Sequence, residues 1–261
     1  MVNGVKVLMV GDVVGKPGRT IFAATVKRLR AENAVQAVVV NAENAAAGNG
    51  ITLALADELF NAGADAITLG DHTWGQRELE STIAGEKRMV RPVNYAPGTP
   101  GYGWTQVRSP IAPFIVVSLQ GRVFMNPIDC PFRAMDALLA TLPKNLPILV
   151  DFHAEATSEK IAMGYYLDGR VTAVVGTHTH VQTSDAKILP KGTAYLTDLG
   201  MTGPSHSVLG RAVEPVLKKF TTGIPAKFDV ADGPTVLEGA IIDISRETGK
   251  ALSITPVRYA G

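Results

Sequence analysis

The stretch Val174-Val175-Gly176-Thr177-His178-Thr179-His180 joins an apolar run to two histidines spaced i and i+2. Small and β-branched residues at positions 171–175 predict a buried strand. In open α/β sheets, ligands bind beyond the carboxyl ends of such strands. If the backbone stays extended through Thr179, side chains two apart point the same way, so His178 and His180 aim at one point. This geometry favours a metal site, although an isolated pair also fits two loop histidines that contact backbone or solvent.

The other histidines strengthen the metal interpretation. The chain has five, and His72 and His153 each follow an apolar run directly, in Leu69-Gly70-Asp71-His72-Thr73 and Val150-Asp151-Phe152-His153. Four of the five therefore fall at predicted strand ends, and only His206 has no such context. Histidines placed for packing would not share one type of location.

Acidic and amide side chains occupy the same kind of position: Asp12, Glu43, Asn44 and Asp71. If the strands share a sheet edge, these groups converge with the imidazoles, and without cations between them they would repel each other or stay poorly solvated. Carboxylate, amide and imidazole ligands suit Mn, Fe or Zn, and the lack of thiolates argues against a structural zinc site. Taken singly, Asp12, Glu43 and Asn44 fit helix caps equally well.

The order of the predicted elements gives the fold class. Apolar runs at residues 6–10, 37–40 and 66–69 alternate with helical patterns, which predicts βαβ crossovers and a parallel sheet. Further strands are predicted at 114–119, 148–152 and 171–175, with helices at 17–30, at 133–142 and after residue 159. Segments 226–230, 235–244 and 252–257 predict antiparallel strands. Two sheets packed face to face with helices outside, in one domain over residues 1–261, is the simplest architecture.

Composition limits the function. The net charge of +1 offers no broad basic face for nucleic acid, so no stable nucleic-acid complex is expected. A single cysteine, Cys130, excludes a disulfide framework and suits a reducing cytoplasm. The apolar run at residues 5–10 is too short to span a bilayer and lacks a cleavage site. These features predict a soluble cytoplasmic protein that does not contact membranes. The Pro- and Gly-rich residues 91–103 predict a loop that walls a pocket.

Five motifs resemble, in order, those of one family. They are Gly11-Asp12-Val13-Val14-Gly15-Lys16-Pro17-Gly18-Arg19, Asn41-Ala42-Glu43-Asn44-Ala45-Ala46, Gly70-Asp71-His72-Thr73-Trp74, Asp151-Phe152-His153-Ala154-Glu155-Ala156-Thr157-Ser158-Glu159-Lys160 and Val175-Gly176-Thr177-His178-Thr179-His180-Val181-Gln182-Thr183. Asp198-Leu199-Gly200-Met201-Thr202-Gly203-Pro204 matches as well. The chain resembles the YmdB-like family of calcineurin-like metallophosphoesterases, described as 2′,3′-cyclic-nucleotide 2′-phosphodiesterases. The resemblance covers nearly the whole chain and implies the calcineurin-like α/β/β/α fold.

The resemblance also implies roles for individual residues. One metal ion is held by Asp12, Glu43, Asn44 and His180, and the other by Glu43, Asp71, His153 and His178, so that Glu43 bridges the two. His72 stays off the metals and acts as the proton donor. The superfamily usually has a histidine two residues after the first aspartate, whereas this chain has Val14, and Asn44 is expected to supply the missing ligand.

Asp71 departs from the family pattern, which is Gly-Asn-His-Thr-Trp. Either side chain offers an oxygen to a metal, but Asp adds a full negative charge. Two divalent ions with Asp12, Glu43 and Asp71 leave a net charge of about +1, where Asn would leave about +2. The sequence therefore predicts weaker attraction for phosphate and a relative preference for ferric iron. Two ions of Fe (Fe²⁺/Fe³⁺) or Mn²⁺ are expected, with Zn²⁺ or Mg²⁺ as alternatives.

The implied activity is hydrolysis of small phosphodiesters, with 2′,3′-cyclic nucleotides giving nucleoside 3′-phosphates. A metal-bridging hydroxide would attack phosphorus, and His72 would act as general acid on the leaving oxygen. The protein is also expected to be a homo-oligomer. The alternative is a metal-containing regulatory or scaffold protein that acts through partners and has little hydrolytic activity.

Overall fold

The computed structural model describes residues 4–108 and 113–261, which form two mixed β-sheets and six α-helices. The strands are β1 Gly4–Val10, β2 Asp12–Val13, β3 Ala37–Asn41, β4 Ala66–Thr68, β5 Met89–Val90, β6 Trp104–Val107, β7 Phe114–Gln120, β8 Ile148–His153, β9 Ala173–Thr177, β10 Lys187–Ile188, β11 Ala194–Leu196, β12 Met201–Pro204, β13 Thr235–Ser245 and β14 Ala251–Ala260. The helices are α1 Gly15–Asn33, α2 Leu53–Ala62, α3 Glu78–Thr82, α4 Pro131–Thr141, α5 Thr157–Leu167 and α6 Val213–Thr222.

Each sheet combines parallel and antiparallel strand pairs. The first sheet follows the order β2-β12-β13-β1-β3-β4-β5, with β14 on the far side of β13. The second follows β10-β11-β9-β8-β7-β6. In the first sheet β1, β3, β4 and β5 run parallel, and in the second β7, β8, β9 and β11 do. The carboxyl ends of the parallel strands therefore lie together at one edge of each sheet.

Three apolar layers hold the sheets and helices together. The middle layer joins the sheets and includes Val7 and Val39 from the first with Val116 and Leu149 from the second. A second layer lies between the first sheet and α1 and α2, and a third between the second sheet and α4 and α5. The predicted α/β/β/α class is confirmed.

Local sequence explains where α1 begins and ends. Gly15 adopts φ +58°, which glycine tolerates best, and Pro17 falls in the first turn, where its missing N–H costs no helix bond. Phe22 and Val26 are fully buried on the inner face. The helix stops at Ala34, which takes a left-handed conformation and donates its N–H to Arg30 O.

The structure corrects three sequence-based boundaries. Strand β9 begins at Ala173 and ends at Thr177, two residues later than predicted. Helix α5 begins at Thr157 rather than after Glu159, because the N–H groups of Glu159 and Lys160 already donate to Ala156 O.

Residues 226–230 do not form a strand, whereas the other two C-terminal segments pair as the β13–β14 hairpin. Arg211 explains part of this, since its guanidinium donates to Phe228 O at 3.1 Å and occupies a carbonyl that a strand partner would use. Among the described residues, no helix has the length and apolar character needed to cross a bilayer.

Candidate metal centre

The layer between the sheets changes from apolar to polar toward the carboxyl ends of the strands. Because side chains alternate along a strand, residues two apart share this inner face. On β3, β8 and β9 the apolar inner residues are Val39, Leu149 and Val175. The next inner residues are Asn41, Asp151 and Thr177, and all three are buried. Polar side chains therefore collect beneath the strand ends, where the predicted site residues follow.

One group of four predicted residues converges closely. Glu43, Asp71, His153 and His178 each present a ligand atom within 4.8 Å of the others. His153 Nε2 lies 2.9 Å from Asp71 Oδ1 and 3.2 Å from Glu43 Oε1. His178 Nδ1 lies 3.0 Å from His153 Nε2 and 3.3 Å from Asp71 Oδ1. Two carboxylates and two imidazoles thus face one point.

A second group converges beside the first. Asn44 Nδ2 lies 3.3 Å from Asp12 Oδ1, 3.2 Å from Glu43 Oε1 and 3.3 Å from His180 Nε2. His180 Nε2 lies 3.6 Å from Asp12 Oδ1. Glu43 belongs to both groups, and both Asp12 and Glu43 are fully buried. The structure thus brings together all seven residues predicted as ligands.

The histidine pair reaches these groups by a route that the sequence did not predict. The expectation of an extended backbone is wrong, because His178 has φ 100° and His180 has φ 62°. Non-glycine residues rarely adopt such values, so the backbone turns sharply on either side of Thr179. As a result, His178 faces the group with Asp71 and His180 faces the group with Asp12.

Each of the three imidazoles has its second nitrogen engaged. His153 Nδ1 lies 2.9 Å from Thr177 Oγ1, His178 Nε2 lies 3.0 Å from Glu155 Oε2, and His180 Nδ1 donates to Leu209 O at 3.1 Å. Metal-binding histidines in proteins show this pattern, because the outer partner fixes the ring and its tautomer. Sequence reasoning missed Thr177, Glu155 and Leu209 in these roles.

A buried network under His153 extends this support. Asp151 accepts hydrogen bonds from Asn41 Nδ2 at 3.0 Å, from Thr177 Oγ1 at 2.7 Å and from Thr68 Oγ1. Burial raises the pKa of Asp151 to about 6, against the opposing effect of His153. The signal that could have found Asn41 and Thr177 is their register, since each lies on the inner face of a strand that ends in site residues.

The charges within the cluster compensate each other. Burial by itself would raise the pKa of Asp12, but His180 and His153 outweigh it and hold that pKa far below the usual range. Burial would lower the pKa of His153, yet Glu43 and Asp71 raise it well above the ordinary value. Protons on the imidazoles therefore balance the carboxylates, and a bound cation would replace them. The buried carboxylate and imidazole donors fit divalent metal ions.

His72 lies at the mouth of the cluster. Its Nδ1 is 2.9 Å from Glu43 Oε1, its backbone N–H donates to Glu43 Oε2 at 3.0 Å, and its side chain is 40% exposed. The hydrogen bond to Glu43 raises the pKa of the imidazole, although burial opposes it. The ring is thus both in contact with the shared carboxylate and open to solvent.

Four side chains in or near the Pro- and Gly-rich loop differ in their contacts and exposure. Arg91 donates to the carbonyls of Pro92 and Thr99, and Asn94 is buried and donates to Gln120 O and Asp129 O, so both brace the loop. That loop forms one wall of a cavity of about 630 Å³. Arg122 is exposed on the same cavity, and Trp74 is 37% exposed with its ring 6.2 Å from that of Tyr95.

The fold and the site together define the class. Two mixed sheets between helices, with acidic and imidazole groups at the strand ends, form the architecture of the calcineurin-like metallophosphoesterases. A family model described as "YmdB-like protein" matches residues 8–257, and the chain belongs to this family. The family predicted from the motifs is therefore confirmed.

Three similar proteins document the relationship. The 2′,3′-cyclic-nucleotide 2′-phosphodiesterase of Bacillus subtilis (strain 168) is 49% identical over 250 residues, which are 95% of each chain. A solved structure from Thermus thermophilus is 41% identical with a TM-score of 0.92, covering 98% of this chain and 99% of that one. A phosphatase structure from Mycoplasma pneumoniae is 35% identical with a TM-score of 0.94, covering 100% of this chain and 95% of the other.

Proposed function

We propose that this protein is a dinuclear-metal phosphodiesterase that hydrolyses 2′,3′-cyclic nucleotides to nucleoside 3′-phosphates. The observation that carries the proposal is the pair of ligand groups that share Glu43. The Bacillus subtilis relative, named for this activity, supports the choice of substrate. A regulatory or scaffold role is less favoured, because the ligand groups and the supports of their imidazoles are all present.

The seven residues divide between two metal ions as the family resemblance implies. Asp12, Asn44 and His180 would hold one ion, Asp71, His153 and His178 the other, and Glu43 both. For Asn44 the amide oxygen would be the ligand atom, which requires the side-chain amide to turn over, because Nδ2 faces Asp12, Glu43 and His180 in this structure. The bound ions would supply Lewis acidity that activates water and neutralises charge on the phosphoryl oxygens.

His72 is the group that moves a proton. During hydrolysis water adds to phosphorus, the bond from phosphorus to O2′ breaks, and O2′ requires a proton to leave as a hydroxyl. His72 is the exposed imidazole beside the cluster, and its contact with Glu43 favours the protonated form. An imidazole whose protonated form is favoured in this way suits general acid catalysis.

The proposal also covers the identity of the metal ions, the cellular location and the oligomeric state. The carboxylate, amide and imidazole ligands favour Fe or Mn, with Zn²⁺ or Mg²⁺ as alternatives. Asp71 adds a third carboxylate to Asp12 and Glu43, and its negative charge favours ferric iron in the Asp71 group. The single cysteine fits a cytoplasmic location. One domain over residues 1–261 and a homo-oligomeric state also belong to the proposal. Elemental analysis and light scattering test the metals and the subunit count.

The direct test is product analysis with a matched histidine control. Protein stripped of metal and reloaded with Mn²⁺ or Fe²⁺ is expected to convert 2′,3′-cyclic nucleotides to 3′-phosphates, as seen by ³¹P NMR. His180→Ala should abolish turnover and weaken metal binding. His206→Ala, at an exposed histidine outside both groups, should change neither. A protein that binds metal but hydrolyses no cyclic nucleotide or bis(p-nitrophenyl) phosphate would favour the scaffold role.

A further inference from the structure

Lys160 is a buried cation that the proposed reaction does not use. It lies on α5, is only 1% exposed, and its Nζ donates to Asp198 Oδ2 at 2.6 Å. Asp198 is fully buried just beyond the end of β11. Removing two charges from water is costly, so a buried pair calls for an account of what it does.

Asp198 is hydrogen-bonded to both ends of the segment that carries the site histidines. We call residues 178–183 the histidine loop. Asp198 Oδ2 accepts from the N–H of Thr179 at 3.1 Å and from its Oγ1 at 2.7 Å. Thr183 donates its N–H to Asp198 O at 3.1 Å, and its Oγ1 accepts from the Asp198 N–H at 2.9 Å. One buried residue thus fixes the loop at its start and its end.

The contact with Thr179 matters because of the backbone on either side. His178 and His180 both have positive φ, and Thr179 is the one residue between them. Side-chain-bearing residues persist in this region only when their surroundings hold them there. The two bonds from Thr179 to Asp198 supply such a restraint at the centre of the turn.

Packing gives Lys160 a defined path to its partner. A Cβ added at Gly176 would lie 2.8 Å from Lys160 Cδ and 1.8 Å from Thr197 O. Glycine at this position on β9 therefore leaves the space through which the lysine stem passes. The result is a buried link from α5, across β9, to Asp198 and the histidine loop.

We propose that Lys160 and Asp198 form a positioning pair that holds the histidine loop in the conformation that presents His178 and His180 to the metal ions. Lys160 orients the Asp198 carboxylate, and Asp198 fixes Thr179. The consequence for metal binding rests on the proposed metal centre, whereas the consequence for the loop does not require a bound ion.

The test compares two substitutions on the same helix. Lys160→Met keeps an unbranched apolar stem and removes the charge. Met163→Ala, at a fully buried residue of α5 that packs in the outer core, destabilises the helix without touching the loop. In metal-free protein, hydrogen exchange at the Thr179 amide should be at least about tenfold faster in Lys160→Met and unchanged in Met163→Ala beyond its global loss of stability. The Mn²⁺ dissociation constant by calorimetry should rise about 10- to 100-fold only in Lys160→Met.

The outcomes separate the possible failures. The positioning role would be overturned if Lys160→Met showed wild-type hydrogen exchange and wild-type Mn²⁺ affinity. It would also be overturned if both variants lost protection and affinity in proportion to their loss of global stability. If Lys160→Met alone does not fold, combining it with Asp198→Asn removes the unpaired charge. That double variant should fold and bind Mn²⁺ at least about tenfold more weakly, and full affinity would contradict the proposal. Wild-type protein that binds neither Mn²⁺ nor Fe²⁺ would refute the proposed function, while the hydrogen-exchange comparison would still test whether Lys160 holds the histidine loop.

Discussion

The substitution His72→Ala tests whether His72 donates a proton without binding metal. The variant loses the contact from Nδ1 to Glu43 Oε1, but the backbone N–H of residue 72 still donates to Glu43 Oε2, and His153 Nε2 remains 3.2 Å from Oε1. Glu43 therefore keeps polar partners at both oxygens. The free energy of unfolding should fall by less than about 3 kcal/mol, the upper end for one hydrogen bond to a charged group.

The effect on catalysis should depend on the leaving group. General acid catalysis contributes about 100- to 10,000-fold, which corresponds to roughly 3–5 kcal/mol of transition-state stabilisation. The 2′-oxygen of ribose is strongly basic and requires the proton, whereas p-nitrophenolate leaves without one. The kcat for a 2′,3′-cyclic nucleotide should therefore fall by about 100- to 10,000-fold, and that for bis(p-nitrophenyl) phosphate by less than about tenfold.

The assay measures both substrates with Mn²⁺-loaded protein, and metal content by elemental analysis. Two bound ions with selective loss of cyclic-nucleotide turnover are expected. Equal losses on both substrates would refute the general-acid role. A variant that no longer binds metal would show that His72 is a ligand.

Three further predictions concern charge, pH and the support of His153. Asp71→Asn removes one negative charge and should shift the metal content from ferric toward divalent ions, and unchanged content and activity would remove that idea. Because the pKa values of His153 and His180 are raised above the ordinary 6.5, their pairing stabilises metal-free protein fully below about pH 6.5. That stabilisation is lost as pH rises through the raised values, while Mn²⁺ affinity increases, so melting curves with and without Mn²⁺ should diverge increasingly as pH rises above about 6.5. Thr177→Val removes the hydroxyl that bridges His153 Nδ1 and Asp151 Oδ1, although Asn41 and Thr68 still donate to Asp151. It should cost about 1–3 kcal/mol in urea unfolding and roughly tenfold in Mn²⁺ affinity. Thr177→Ser, which keeps the hydroxyl, should retain both the stability and the Mn²⁺ affinity. Equal behaviour of the Val and Ser variants would contradict a supporting role for the Thr177 hydroxyl.

The sequence predicted the ligand set because strand ends carry a local signature. Asp12, Glu43 and His153 lie at or just after strongly apolar runs, and parallel strands must bring their carboxyl ends to one edge. The buried strands themselves could be predicted, since the apolar runs in β3 and β8 are short and rich in β-branched residues, which favours a strand over a helix. Boundaries were less predictable, as α5 shows, because helix starts depend on single hydrogen bonds.

Hydrogen bonds between residues far apart in the sequence could not be predicted from local sequence patterns. The bond from Lys160 to Asp198 joins residues 38 positions apart, and that from Asn41 to Asp151 joins residues 110 apart. Nothing in the neighbouring sequence specifies either partner, because each depends on which strands and helices become adjacent.

The sequence by itself determined which side chains lie at the carboxyl ends of the parallel strands, since the position of each apolar run fixes which residues follow it. The family resemblance implied their division into two groups about Glu43, but only the tertiary structure decided the backbone geometry that directs His178 and His180 to different groups. That division follows from the left-handed turns at His178 and His180, which are unfavourable locally and are held by contacts made from other strands.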